Sequence, residues 1–301
     1  GWGGGMTTLM TVVLFGLYSA ALYAIGGVGF TLQFGVTNVL NLAYGSLITS
    51  SIFAEYYLTG HSTNLWVAMT VGGAAGAVLS FVVGFVIIGA FVRRGARGFN
   101  VAMVAIALSL ILQYSLEAIQ GPVIDAFASS NRSTVLSVAG VNLDSQQVTA
   151  IVVAIVLMVG VHLLLRMTKL GLAMRATADD VALTRVSGVS PARTRALAWL
   201  VSGALCGICG VLLGIGIGTF DASTGNDFFI TAAAAAIAGG VGKPYGAMLG
   251  ALIVGVITQA SAAIISPAFS SISAWVLLIA FLLVRPQGIF ATYAAERELV
   301  A

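Results

Sequence analysis

Residues 196–220 have the sequence ALAWLVSGALCGICGVLLGIGIGTF, and this stretch decides the fold. It contains no charged residue. A helix that crosses a bilayer needs about 20 predominantly apolar residues, whereas a membrane β-strand needs about ten residues in polar and apolar alternation. The stretch is long enough and shows no such alternation. It therefore predicts a membrane-spanning helix, whose backbone satisfies its own hydrogen bonds in lipid.

The composition of the whole chain agrees with this prediction. The sequence has 301 residues, of which 59% are hydrophobic and 8% are charged, and its mean hydropathy is +1.06. A soluble domain carries about 25% charged residues, and disordered chains are poor in apolar residues, so both classes are excluded. Hydrophobic segments run over 7–33, 36–59, 66–92, 100–119, 148–165, 196–218, 228–241, 245–265 and 272–284.

These segments predict an all-α fold, a polytopic transmembrane helical bundle with about 8–9 membrane segments in a single domain over residues 1–301. The segments 228–241 and 272–284 are short for complete spans. Two small-xxx-small patterns, Gly203 with Gly207 and Gly246 with Gly250, predict close approach between helices. Cys206 and Cys209 lie among apolar residues without a nearby histidine, and we interpret them as small packing residues rather than as a metal or redox site.

Basic residues gather on one predicted side of the membrane. That side is assigned Arg93, Arg94, Arg97, Arg166, Lys169, Arg175, Arg185, Arg193, Arg195, Lys243, Arg285 and Arg297, together with the acids Asp179, Asp180, Glu296 and Glu298. The other side is assigned Glu55, Glu117, Asp125, Asp144, Asp221 and Asp227, with Arg132. Since basic residues are enriched in cytoplasmic loops, we expect the N-terminus outside and the C-terminus in the cytoplasm.

Polar residues near the second segment predict a translocation pathway. Asn38, Asn41 and Gly45 stand at i, i+3 and i+7, which places them on one face of a helix. Polar groups inside a membrane are costly and tend to face a cavity or the bundle interior. The residues that we expect to line the pathway are Gln33, Asn38, Asn41, Tyr44, Gly45 and Ser46. The alternative is that Asn38 and Asn41 only cap helices or hold them together.

The loop at 166–195 predicts a short cytoplasmic helix that couples the chain to a partner. Thr177 or Asp179 can cap this helix, Arg185 falls in its last turn, and Gly188 can end it in a left-handed conformation. Ser190 and Pro191 then begin the next helix. An apolar stripe on the short helix is formed by Val181, Leu183, Val186 and Val189. The alternative is a loop that lies on the bilayer surface.

No motif for catalysis is recognised in the sequence. The patterns GxxxxGK[ST], HExxH and GxSxG do not occur, and His61 and His162 are far apart in the predicted topology. We therefore expect no catalytic residue, no metal site and no nucleotide hydrolysis by this chain alone.

Four blocks of sequence resemble permeases of the branched-chain amino-acid family of ABC transporters. They are 38–45 (NVLNLAYG), 169–189 with its KLGLAMRA start together with 198–214, 237–250 (IAGGVGKPYGAMLG), and 285–288 (RPQG). They occur in family order and cover nearly the whole chain. The chain departs from the family at Ala182-Leu183-Thr184, where members often have Glu-Ala-Ala, and at Tyr44-Gly45-Ser46, where many have His and Gly-Glu.

The resemblance implies a non-catalytic permease subunit of an importer, which forms half of a pathway for branched-chain or other small hydrophobic amino acids. The implied partners are a second permease, identical or related, two cytoplasmic ATPases that bind ATP and Mg, an extracytoplasmic binding protein, and membrane lipid, without nucleic acid. No cofactor is implied in this chain, and the location is the bacterial cytoplasmic (inner) membrane. The residues assigned to ATPase coupling are Arg175, Asp179, Asp180, Arg185, Gly188 and Pro191.

Other functions stay open at this point. The same architecture could import urea, short amides, small carboxylates or simple sugars. A self-contained secondary transporter or channel is the alternative from another class, although it would be expected to place ionisable residues in the middle of the membrane. A membrane anchor or scaffold is a third possibility, but it does not explain the polar residues Asn38 and Asn41.

Overall fold

Helices follow the hydrophobic segments in chain order. The computed structural model describes residues 2–59, 64–96, 98–121, 125–126, 134–138, 141–267 and 269–284. The elements are α1 (Trp2–Thr37), α2 (Tyr44–Leu58), α3 (Leu65–Ser80), α4 (Gly89–Arg93), α5 (Phe99–Gln120), β1 (Asp125–Ala126), β2 (Thr134–Val138), β3 (Val141–Asp144), α6 (Ser145–Met167), α7 (Lys169–Asp179), α8 (Val181–Val186), α9 (Pro191–Ile217), β4 (Thr219–Phe220), α10 (Thr224–Gly239), α11 (Pro244–Ile264) and α12 (Phe269–Val284).

Within the described residues, six helical stretches are long and apolar enough to cross a membrane. They are Leu9–Thr37, Leu65–Arg93, Phe99–Gln120, Ser145–Met167, Pro191–Ile217 and Pro244–Ile264. The helices α2, α10 and α12 have 15, 16 and 16 residues, which at about 1.5 Å per residue fall short of a hydrocarbon core about 30 Å thick. The polytopic helical bundle is thus confirmed, although fewer long spans are found than the eight or nine predicted.

Helix α1 packs on α6, α9, α10 and α11, and its buried side chains lie mainly in its second half. Glycines make the closest helix crossings. A Cβ atom at Gly203 or Gly207 would overlap the backbone of α3, and one at Gly246 or Gly250 would overlap the backbone of α10. The close approach that the two small-xxx-small patterns predicted is confirmed.

Two features of the backbone were not predicted. The helix that contains α3 and α4 continues between them through a π-helical stretch, Phe81–Ile88, where the ring of Trp199 covers Gly84. Two small antiparallel sheets also occur, β1 with β4 and β2 with β3. Backbone groups outside the helices pair with each other in this way, so the chain is not purely α-helical.

Arginines line two cavities that both lie beside the last turn of α1, at Val36 and Thr37. One cavity is lined by Arg166 and Arg175, and the other by Arg93 and Arg195. Glu55, which the sequence assigned to the other side of the membrane from the basic residues, is 1% exposed and accepts a hydrogen bond from Thr59. Several residues used in the predicted topology lie outside the described residues, namely His61, Arg97, Arg132, Glu296, Arg297, Glu298 and the block 285–288.

Candidate functional site

The connection between α1 and α2 is irregular and only partly buried, with Asn41 and Ala43 inside the protein and Asn38 and Leu40 exposed. Helix α1 ends at Thr37, Asn38 has a positive φ of 52°, and α2 begins at Tyr44. Asn38 and Asn41 therefore do not share a helix face with Gly45, and the prediction of one continuous helix over 36–59 is wrong. Backbone groups outside a helix must find their hydrogen-bond partners elsewhere in the protein.

Gln33 and Asn41 supply those hydrogen bonds. The Gln33 side chain donates through Nε2 to the Val39 carbonyl at 3.3 Å and accepts from Asn41 Nδ2 at 3.4 Å. Asn41 Oδ1 in turn accepts from the Ala43 amide at 3.2 Å. Gln33 and Asn41 are fully buried, whereas Asn38 is exposed. The two buried amides thus hold the break in place, which is the alternative role that the sequence left open for Asn41.

Tyr44 and Gly45 fix the start of α2 against its neighbours. Tyr44 is fully buried, donates from its hydroxyl to the Ser202 carbonyl at 3.2 Å, and packs its ring on Phe30 and Phe229. A Cβ atom at Gly45 would overlap Asn226 at the start of α10. The absence of a side chain at position 45 lets α10 approach α2 closely enough for side-chain hydrogen bonds.

A polar cluster joins α2, α5 and α10 beside this contact. Ser46 Oγ lies 2.7 Å from Ser109 Oγ, with either oxygen as donor, and 3.3 Å from Asn226 Oδ1. Asn226 Nδ2 donates to Gln113 Oε1 at 3.0 Å, and Gln113 Nε2 donates to Glu117 Oε1 at 3.4 Å. The hydroxyl, amide and carboxylate groups form a connected line from the bundle interior along α5. We call Ser46, Ser109, Gln113, Glu117 and Asn226 the polar line.

The sequence identified only part of the polar line. Ser46 was predicted as a pathway residue, whereas Glu117 was assigned only to one side of the membrane and Gln113 was given no role. Ser109 and Asn226 were missed, because a serine and an asparagine in apolar segments resemble ordinary helix-packing or capping residues. Their significance depends on the crossing at Gly45 and Gly225, where the Gly225 amide donates to Thr49 Oγ1 at 2.9 Å.

The turn before α10 is held by Asp221. Its Oδ1 accepts hydrogen bonds from the Ser223 amide at 3.0 Å, from Ser223 Oγ at 2.9 Å and from Thr224 Oγ1 at 2.8 Å. Partial burial raises the pKa of Asp221, but the hydrogen bonds to its carboxylate lower it more, so that the pKa lies below the ordinary value. The ionised carboxylate fixes the turn that sets Asn226 in the first turn of α10.

The loop at 166–195 forms two helices, and its cap differs from the predicted one. Asp180 caps α8 by accepting hydrogen bonds from the amides of Ala182 at 2.7 Å and Leu183 at 2.9 Å. Thr177 lies inside α7, and Asp179 is the last residue of α7, so neither is the cap. A cap needs a non-helical backbone whose side chain points at the following amides, and Asp180 meets that condition.

The predicted end of α8 and the predicted start of α9 are confirmed. Gly188 has a φ of +82°, and Pro191 is the first residue of α9 after Ser190. Arg185 lies in the last turn of α8. Two residues of the apolar stripe are exposed, Leu183 at 65% and Val186 at 86%, whereas Val181 and Val189 are half-buried. Arg175 lies in α7 and not in α8, and its side chain lines a cavity.

Comparison with known proteins covers nearly the whole chain. Residues 12–284 match the family model described as the branched-chain amino acid transport system / permease component. The high-affinity branched-chain amino acid transport system permease protein LivH of Escherichia coli is 27% identical over 294 residues, which covers 94% of this chain and 95% of the relative. The corresponding BraD protein of Pseudomonas aeruginosa is 28% identical over 303 residues, with 94% and 95% covered. A probable LivH permease of Methanocaldococcus jannaschii is 28% identical over 284 residues, with 91% and 89% covered.

Proposed function

This chain belongs to the family of branched-chain amino acid permease components, and on that premise we propose that it is the membrane-spanning subunit of an ATP-driven importer for branched-chain or other small hydrophobic amino acids. It works with a second, identical or related permease, two ATPases that bind ATP and Mg, and an extracytoplasmic binding protein. The match along residues 12–284 and the similarity to the branched-chain amino acid permeases LivH and BraD support this assignment.

We propose that the N-terminus lies outside and the C-terminus in the cytoplasm of a bacterial inner membrane. The arginines that line the two cavities beside the last turn of α1 support this orientation, because basic residues are enriched on the cytoplasmic side. Counting α2, α10 and α12 as crossings gives nine segments, and the short helices tolerate their length because each packs on longer neighbours.

The polar line is the observation that carries the proposal for the pathway. It consists of uncharged polar groups at its buried end, where Ser46 meets Ser109 and Asn226. Such groups can accept and donate hydrogen bonds to a zwitterion in transit without holding it tightly, and conduction requires binding that is weak enough to reverse. Gln33, Asn41, Tyr44 and Gly45 act as supports, since their contacts set the position of α2.

Helix α8 is proposed to dock on a cytoplasmic ATPase. Its two most exposed apolar side chains, Leu183 and Val186, have the character of an anchor that another protein covers. Asp180, Arg185 and Gly188 shape the helix, and Asp179 and Pro191 join it to α7 and α9. A conformational change of the ATPase would then be transmitted from α8 to α9, and from α9 to the helices on which it packs, α1, α2 and α3.

Uptake of labelled leucine by the assembled transporter in proteoliposomes tests the proposal. Ser109→Ala and Asn226→Ala remove polar groups from the polar line, and a lost intramembrane hydrogen bond is worth about 1 kcal/mol. We expect a roughly fivefold fall in uptake for each, with the complex still assembled. Ser115→Ala is the matched control, since Ser115 lies on the same helix but is exposed and bonds only its own helix.

Three outcomes would contradict parts of the proposal. Equal uptake by the Ser109 and Ser115 variants would remove the polar line from the pathway. Uptake of urea, a short amide, a small carboxylate or a simple sugar in place of leucine would replace the substrate. Uptake without ATP, driven by an ion gradient, would favour a self-contained secondary transporter.

A further inference from the structure

A cavity of about 360 Å³ lies beside the last turn of α1. Its walls come from the end of α1, the end of α6, helix α7 and the start of α11. Most of the lining is apolar, including Leu32, Val36, Leu165 and Met174. The cavity is separate from the polar line and from α8.

Two cations lie in this apolar wall without a counter-charge. Arg166 and Arg175 are the charged side chains in the lining, which contains no acidic residue. Across the described part of the chain, neither guanidinium has a hydrogen bond or an ion pair. Both side chains are exposed, so they remain available to a ligand that approaches the cavity. A pair of arginines beside an apolar surface suits an amphiphilic anion.

The lining of the cavity also includes His162 of α6 and Tyr245 of α11. His162 Nδ1 and the Tyr245 hydroxyl lie 3.0 Å apart and link α6 to α11. Next to them on the outer surface, Leu163 is 42% exposed and Leu249 is 44% exposed. Tyrosine is enriched at the boundary between hydrocarbon and head groups, which is the depth at which a phosphate would meet the arginines.

We propose that this cavity binds an anionic phospholipid, with its phosphate between Arg166 and Arg175 and the first part of an acyl chain against Leu32, Val36 and Leu165. The proposal rests on the orientation given above, since basic pockets between membrane helices on the cytoplasmic side suit anionic head groups. An anionic lipid matches both parts of the lining, because its phosphate suits the two arginines and its acyl chain suits the apolar wall. A free phosphate would satisfy the arginines but would leave the apolar wall unused.

Native mass spectrometry of the purified, assembled transporter tests the proposal, with phosphatidylglycerol as the titrated probe and phosphatidylcholine as the neutral comparison. The double variant Arg166→Gln/Arg175→Gln is expected to bind phosphatidylglycerol roughly 30-fold more weakly, because each arginine near the surface is worth about 1 kcal/mol. Ala178→Trp fills the cavity without a change in charge and is expected to lose the same bound lipid. The control is Lys169→Gln/Arg193→Gln, which removes two exposed cations outside the lining.

The outcomes separate this proposal from the proposed function. Loss of selective phosphatidylglycerol binding in the Arg166/Arg175 and Ala178 variants, with binding kept in the control, supports the site. Unchanged binding in Ala178→Trp overturns it even where the arginine variant does not assemble. Displacement of the lipid by millimolar inorganic phosphate or glycerol phosphate also overturns it, in favour of a soluble ligand. Lipid binding is measured without substrate, so a failure of leucine uptake leaves this result standing.

Discussion

Individual residues at the ends of helices decide how the elements of this permease meet. Gly188 ends α8 with a φ of +82°, and a Cβ atom added there would find no neighbour within 4 Å. The position is therefore constrained by backbone conformation and not by space. Asn41 has the opposite character, because its role comes wholly from the hydrogen bonds that its side chain makes.

Gly188→Val and Gly188→Asn make a matched pair at this position. A β-branched residue in the left-handed region costs roughly 1–2 kcal/mol, whereas asparagine tolerates that region. We expect the valine variant to lower substrate-stimulated ATP hydrolysis by the assembled transporter several-fold and the asparagine variant to retain most of it. Equal activity of the two variants would show that the end of α8 does not need this conformation.

At the scale of elements, helix crossings through glycine organise the bundle. The backbones of α3 and α9 meet at Gly72 with Gly207 and at Gly76 with Gly203. Without Cβ atoms, the helices approach until main-chain atoms touch, which increases van der Waals contact in the membrane. Gly160 on α6 has no neighbour within 4 Å of its Cβ position and serves as the comparison.

Gly207→Ala is expected to destabilise the purified protein by about 1–3 kcal/mol, because the methyl group would displace the Gly72 backbone. Gly160→Ala, also within a membrane helix, is expected to leave stability unchanged or to raise it by up to about 1 kcal/mol. Thermal unfolding in detergent, followed by loss of the monodisperse peak, measures both. A smaller loss of stability for Gly207→Ala than for Gly160→Ala would contradict the packing argument.

Sequence patterns predicted the elements better than their junctions. The long apolar segments and the small-xxx-small patterns gave the spans and the crossing at Gly203 and Gly207, because both depend on local composition. The spacing of Asn38, Asn41 and Gly45 suggested one helix face, but polar residues that support a broken helix produce the same spacing. Asn226 was not predicted as a site residue, because its hydrogen-bond partners come from α2 and α5. Contacts between segments that are distant in the sequence produce no regular spacing of residues that could be recognised.

For the whole molecule, the two exposed residues of α8 connect the bundle to its proposed energy source. Leu183 and Val186 project from a capped helix of six residues that lies between the long helices α6 and α9. Apolar side chains this exposed contribute little to the fold of the chain itself. Their effect is expected in the assembled transporter.

Leu183→Ser/Val186→Ser is expected to weaken binding of the ATPase subunits at least tenfold, because two buried apolar anchors at an interface are worth about 2 kcal/mol or more. Pull-down of the ATPases with the tagged permease measures the loss. Leu163→Ser/Leu249→Ser, at exposed sites on α6 and α11, is the control for a general loss of surface hydrophobicity. Retention of the ATPases by the α8 variant would place their docking site elsewhere.

The paired glycines also limit how this protein can change over evolutionary time. At most packed contacts, a larger residue on one side can be accommodated by a smaller one on the other. Gly72 and Gly207 already have the smallest possible side chain on both sides, so no second substitution at the contact can compensate for the first. Neither a single substitution nor a pair of substitutions is therefore tolerated at this crossing. Adaptation to a new substrate has to come from substitutions in other parts of the bundle.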